Sequence, residues 1–293
     1  MSSHSSSSAA SSRSRVLPTA AAEGIAIASD LASLSALLTR EGFIAAAEES
    51  QQLLTFAGGD GGLLDAAVRR RLTGEPLAWI TGRVSFCGID VRVDPDVYVP
   101  RWLSEPVASR AVERLPRDGC AIDLCTGSGA IAKVLATHRP RARVLASDVA
   151  RAAVACATAN GVEVYHGDLF APLPRDLEHR VDVVVGVVPY VPTPELPLLQ
   201  RDTFTFETTL SYDGGDDGTR VLRRVLRDSP RFLKPGGALL LELGGDQAVL
   251  LADDLTHLGY VDVTVLADED GDVRGIETTF RGDGVQPLSR SAG

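Results

Sequence analysis

Lysine is almost absent from this chain of 293 residues: Lys133 and Lys234 are the only two, and arginine carries nearly all the positive charge. With the abundant Ala and Gly, that reads as a GC-rich coding bias and excludes little. Long apolar runs are missing too. None approaches the ~20 residues that a membrane-spanning helix needs, so no membrane partner is expected. Cysteine is sparse, with Cys87, Cys120, Cys125 and Cys156 forming no C-x-x-C pair and no metal-ligand spacing. They read as reduced, mostly buried thiols of a cytoplasmic protein. Five histidines form no metal constellation, so no metal is expected, and no His/Ser/Asp pattern marks a hydrolase. His166 falls in a solvated loop or at the rim of a pocket. Net positive charge is absent as well. The formal charge of −10 argues against broad nucleic-acid or membrane-surface binding, and no direct nucleic-acid partner is expected. The triplet Arg69-Arg70-Arg71 reads as a solvated helix face.

What is present centres on Asp123-Leu124-Cys125-Thr126-Gly127-Ser128-Gly129. A short apolar run ending in a carboxylate reads as a buried strand, and Ala130 opens a helix. A glycine-rich turn between the two lets a ligand approach the backbone and aims free helix N–H groups at it. Asp148, 25 residues after Asp123 (148 − 123), ends the next strand, where a carboxylate can accept from both hydroxyls of a ribose. Gly127-x-Gly129-x-x-Ala132 also fits the loose dinucleotide fingerprint, so a nicotinamide cofactor competes with S-adenosylmethionine (SAM), and a ligand-free turn remains an alternative. Asp123 favours SAM, because a carboxylate suits its cationic amino group and repels a pyrophosphate. Asp168 and Leu169, after a third strand at Val162-Glu163-Val164-Tyr165, add a carboxylate where an adenine amino group can be read.

Around this centre the pattern is α/β. Residues 1–22 form a Ser/Ala-rich tail, expected to be disordered and lacking the apolar core of a secretory signal. Residues 23–82 carry helical periodicity over Ile25–Leu38, Phe43–Phe56 and Leu63–Leu72, a small helical module. Residues 83–100 read as a β-hairpin linker turning near Gly88. Over 101–282 helix and strand alternate, with a helix at Leu103–Leu115, strands ending at Asp123, Ser147 and Gly186, a helix at Arg220–Phe232 and a strand at Ala238–Leu243. Two final strands, Val261–Leu266 and Ile276–Arg281, have no helix between them. A doubly wound, seven-stranded sheet ending in an antiparallel hairpin follows, with a disordered tail at 283–293.

The chain resembles the HemK-type protein-(glutamine-N5) methyltransferases from about residue 25 to 281. The motifs that carry the resemblance are Gly74-Glu75-Pro76-Leu77-Ala78-Trp79-Ile80-Thr81-Gly82, Val99-Pro100-Arg101-Trp102-Leu103-Ser104-Glu105, Asp123–Ala132, Gly167-Asp168-Leu169-Phe170, Pro189-Tyr190-Val191-Pro192, Phe206-Glu207, Gly214-Gly215-Asp216-Asp217-Gly218 and Leu241-Glu242-Leu243-Gly244. The resemblance implies a class I methyltransferase domain behind a helical substrate-docking module. It implies SAM held by Asp123, Thr126, Gly127, Ser128, Gly129, Asp148, Val149, Asp168 and Leu169, and an acceptor site at Tyr98, Val187 and Val188 beside Pro189 and Tyr190. Pro189 supplies a rigid edge and Tyr190 an aromatic face for the sulfonium. Arg101 and Glu105 are expected to pair one helical turn apart.

One motif departs from the family. Where the family has Asn-Pro-Pro-Tyr, this chain has Val187-Val188-Pro189-Tyr190. In the family the Asn side chain and a backbone carbonyl accept both N–H groups of the target amide and aim its nitrogen at the methyl group. Val187 has no acceptor, and an amide N–H left unpaired there costs ~1–3 kcal/mol. The expectation is an acceptor pocket altered from the glutamine amide, taking another N or O acceptor in a small molecule or protein. Methylation of a glutamine in a release factor or ribosomal protein is the alternative, and a SAM-binding, non-catalytic regulator a second one.

Overall fold

The computed structural model describes residues 30–199, 203–268 and 270–282. The tails expected over 1–22 and 283–293 lie outside the described residues, as does the start of the helix expected from Ile25. The chain divides into two compact units, one running to Leu72 and the other beginning at Thr73.

The first unit is built from α1 (Leu31–Arg40), α2 (Ala46–Ala57) and α3 (Gly61–Leu72). Local signals set these helices. Asp30 caps α1 by accepting the amide of Ser33 at 3.0 Å. Gly58, at φ +57°, ends α2 in the left-handed conformation. Asp60 accepts the amides of Gly62 and Leu63 and starts α3. Leu34, Leu37, Leu38, Leu53, Leu64 and Val68 fill the core. The arginine triplet is not uniformly solvated: Arg71 pairs with Glu49 at 2.6 Å and lies over the Phe43 ring.

The second unit opens with α4 (Leu77–Thr81) and the hairpin β1 (Arg83–Phe86) and β2 (Ile89–Arg92). Its turn is at Cys87-Gly88, both at positive φ, the conformation whose twist suits a two-residue hairpin. A 3-10 turn, Trp102–Ser104, leads into α5 (Glu105–Arg114). The sheet follows: β3 (Cys120–Leu124), α6 (Ala130–His138), β4 (Arg143–Asp148), α7 (Arg151–Ala159), β5 (Glu163–His166), β6 (Val181–Gly186), α8 (Thr203–Phe206), α9 (Arg220–Asp228), β7 (Leu233–Glu242), α10 (Gln247–Leu250), α11 (Ala252–His257), β8 (Tyr260–Ala267) and β9 (Val273–Phe280). The strand order is β5-β4-β3-β6-β7-β9-β8. β5 to β7 run parallel, and β9 pairs antiparallel with both β7 and β8.

Alternation along the strands feeds two cores. Ile122, Leu124, Val184, Leu239 and Leu241 face one, and Ala121, Val183, Val185 and Leu240 the other. Two of the carboxylates inside this sheet are paired with cations. Glu277 of β9 is held by Arg110 and Arg114 of α5, and Asp182 of β6 accepts the Cys120 amide at 2.8 Å and pairs with Lys234. Two expected boundaries move furthest. The helix from Arg220 ends at Asp228, where Pro230 turns the chain through a 3-10 segment, and β7 begins five residues early, at Leu233. Among the described residues, no helix is long and apolar enough to cross a membrane.

Candidate active site

After β3 the chain builds outward to β4 and β5, then returns to lay β6 on the other side of β3. The carboxyl ends of β3 and β6 therefore flank the switch point of the sheet, where open α/β sheets bind ligands. The cleft there is lined by Tyr98, Ser104, Asp123, Thr126, Ser128 and Val187, among others, and encloses about 40 Å³.

The turn after β3 is held open by its own geometry. Cys125, Gly127 and Gly129 all have positive φ. At Gly127 a Cβ would meet nothing closer than 3.9 Å, so its bare backbone faces space that a ligand can use. Gly129 is different: at φ +82° a Cβ would stand 2.9 Å from Val162 and 3.0 Å from Ala157. Gly129→Ala is therefore expected to lower stability by roughly 1 kcal/mol, and unfolding in urea measures it. An unchanged midpoint would mean that the turn relaxes freely.

Asp123 is buried at the end of β3, and its Oδ2 accepts from the Thr126 hydroxyl at 2.6 Å and the Ala132 amide at 3.1 Å. Burial pushes its carboxyl up to about 7, against those two hydrogen bonds and with the Asp148 charge adding to the rise. The sign of the linkage follows. The folded chain holds this proton more tightly than the unfolded one, so stability is highest below the ordinary value of 3.8 and falls as pH rises towards about 7. Asp123→Asn is expected to flatten that fall. Denaturant midpoints across the window test it, and an unaltered slope would assign the pH dependence elsewhere.

Asp148 ends β4. Its Oδ2 accepts the Gly127 amide at 2.9 Å and its Oδ1 the Ala150 amide at 2.8 Å, tying the turn to the neighbouring strand. Burial raises its pKa above the ordinary carboxylate range, opposed by these backbone donors. Beside it, the Ser128 hydroxyl is buried without a hydrogen-bond partner among the described residues. A bare backbone, an unpartnered hydroxyl and two desolvated carboxylates fit a polar ligand that brings hydroxyls and positive charge. Val149 is exposed next to Asp148, and its carbonyl lies 3.0 Å from His166 Nε2. Asp168 and Leu169 line a second cavity of about 510 Å³ with Arg224 and Arg227, directly after Gly167, whose amide donates to the Asp148 carbonyl at 2.9 Å. There the Asp168 carboxylate is bound by Arg224 at 2.6 Å.

The far wall is the end of β6. Val187 is partly buried and lines the cleft, while Val188 is buried in the core. Tyr190 is clamped at both ends. Its hydroxyl donates to Glu242 Oε1 at 2.9 Å, and its carbonyl accepts from Gln247 Nε2 at 2.6 Å. Tyr98 is stacked edge-on to Tyr212 at 5.6 Å, and burial pushes its phenol up to about 12.

The expected Arg101–Glu105 pair does not form. Arg101 precedes the 3-10 turn and so does not share a helix with Glu105. Its guanidinium instead binds the buried Glu207 at 2.6 Å and the Tyr212 hydroxyl at 3.3 Å, while Glu105 accepts the Cys87 amide. A carboxylate as buried as Glu207 is costly without a cation, and Arg101 is the one beside it. Glu207 was seen in sequence only as part of a motif, because the two partners are 106 positions apart. Glu242 had a legible signal: an apolar run, Leu239-Leu240-Leu241, ending in a carboxylate, as at Asp123.

No protein-family model matches the chain. Curated relatives do. A release factor glutamine methyltransferase of Geobacter sulfurreducens is 35% identical over 210 residues, covering 70% of this chain and 73% of that protein. The enzyme of the same name from Moorella thermoacetica is 40% identical over 216 residues, covering 70% and 75%. A solved release-factor-specific protein-(glutamine-N5) methyltransferase from Alicyclobacillus acidocaldarius superposes with a TM-score of 0.40 at 25% identity, over 65% of this chain and 99% of its own.

Proposed function

The chain belongs to the release factor glutamine methyltransferase (HemK) family and is a SAM-dependent methyltransferase, and from that premise we propose that its acceptor is the side-chain amide of a glutamine in a release factor. The observation that carries this reading is the pairing of such relatives with a cleft whose one wall is the Asp123–Gly129 turn and whose other is Val187. The relatives favour glutamine, the alternative to the altered acceptor expected from Val187.

Bound SAM supplies a methyl group on a positively charged sulfur. The chain's own groups do the holding. We assign the ribose to Asp148, the methionine portion to Gly127, Ser128 and Gly129, the amino group to Asp123, which Thr126 steadies, and the adenine to Val149, Asp168 and Leu169. Tyr98 and Val187 border the acceptor, Val188 backs that wall from the core, and Pro189 fixes the edge from which the Tyr190 ring meets the sulfonium. An amide nitrogen is a weak nucleophile with a delocalised lone pair, so the wall's task is orientation and exclusion of water. The helical module, expected over 23–82, docks the protein that carries the glutamine. A cytoplasmic site of action follows from that partner.

Incubation with SAM and a bacterial release factor, read by mass spectrometry, tests the assignment. Slow but site-specific methylation of one glutamine is expected. The second reading, an acceptor other than an amide, is favoured by Val187 and Val188 themselves. Transfer to other acceptors with the release factor untouched would establish it.

A further inference from the structure

Glu242 ends β7 beside the altered motif. β6 and β7 are in parallel register with Val185 opposite Leu240 and Gly186 opposite Leu241, so the next positions along the two strands are Val187 and Glu242. The carboxylate is 4% exposed. Its Oε1 accepts a hydrogen bond from the Tyr190 hydroxyl, and its Oε2 is buried with no hydrogen-bond partner among the described residues. Ser104 and Tyr98, both lining the cleft, are near enough to interact with it electrostatically or by hydrogen bonding. Burial raises the Glu242 carboxyl, and the Ser104 and Tyr190 hydroxyls oppose the rise.

The hydrogen-bond inventory of the pair is lopsided. A phenol has one donor and two acceptor lone pairs, and an ionised carboxylate only accepts. With the phenol's hydrogen committed to Oε1, the phenolic oxygen and Oε2 are left as acceptors, and neither side chain has a donor to offer. Such a pair matches a ligand that brings N–H groups and offers nothing to one that brings only acceptors.

We propose that the Tyr190–Glu242 pair, rather than residue 187, selects the acceptor by its N–H hydrogens. The acceptor class is then a primary amide or an amine, and a carboxylate of the same shape is repelled. Glu242 is a positioning residue: it fixes the phenol's hydrogen inward and supplies the charge that rejects anions. The inference rests on the proposed amide acceptor and restores by another route the acceptor that Val187 lacks.

The test compares two small probes, N-acetylglutaminamide and N-acetylglutamate, binding to the full chain with S-adenosylhomocysteine present and above neutral pH. Wild type is expected to bind the amide at least tenfold more tightly than the carboxylate. Glu242→Gln, which brings an N–H donor of its own, is expected to shrink that ratio about tenfold while leaving S-adenosylhomocysteine affinity unchanged. Tyr190→Phe, a second variant should the first fail to fold, is expected to weaken the amide several-fold and move the carboxylate less. A wild type that binds neither probe or does not discriminate overturns the inference, as does an unmoved ratio in a folded variant. These ratios are read without methyl transfer, so an unmethylated release factor would count against the proposed acceptor protein and not against the pair.

Discussion

Asp148→Ala is expected to weaken SAM binding about tenfold to a hundredfold, the range for losing one or two hydrogen bonds to a charged, buried partner. A carboxylate has about four acceptor positions. Two are used by the Gly127 and Ala150 amides, and the two left match the paired hydroxyls of a ribose. Truncation to Ala removes those two and also releases the Gly127 amide, so the turn proposed to meet the methionine portion is expected to loosen together with the proposed ribose site. Asp148→Asn separates the effects, since its amide keeps the volume but can accept through one oxygen only. Calorimetry reads the affinity, and thermal melting shows that the fold is kept. Unchanged affinity in Asp148→Ala would remove this residue from the cofactor site.

The second large effect is a gain. Val187→Asn with Val188→Pro is expected to raise methylation of a release factor glutamine about tenfold or more, the rate equivalent of one well-placed hydrogen bond regained in the transition state. Both changes are needed because Val188 is packed in the core and shapes the same strand end. Single-turnover rates from labelled SAM measure it. If instead the pocket has been converted to a different acceptor, the new Asn meets a substrate with no matching donor and the native reaction slows. A double variant that methylates the release factor no faster, while transfer to the native acceptor slows, would therefore establish the second reading.

The parts of this molecule that could be read from sequence are those whose signals lie within a few residues. Apolar runs ending at Asp123 and Asp148 marked strands in their places, and Cys87-Gly88 turned the hairpin where expected. Failures have the same cause in reverse. α4 is five residues between Pro76 and Gly82, too short to show a period, and was read only as a motif. Pro235-Gly236-Gly237 is made of residues that disfavour strands, yet β7 passes through it, accommodated by a register shift opposite Val181–Val183. The Arg101–Glu207 pair joins segments with no sequence relation, so the helical-spacing rule offered Glu105 instead. At the site, residue types were legible and partners were not. Spacing could nominate Asp168, but it could not show that Arg224 holds its carboxylate.

The placement of β9 between β7 and β8 has a consequence for how this protein is made. Both flanking strands leave the ribosome before the one that joins them. Until Val273–Phe280 arrives, β7 has a bare edge, β8 has nothing to pair with, and Arg110 and Arg114 wait for the carboxylate of Glu277. Synthesis halted shortly before residue 273 would leave the strand that ends in Glu242 open to pairing with any other chain. Such stalled products should be removed by proteolysis or aggregate, whereas chains released after Phe280 can close the sheet in one step.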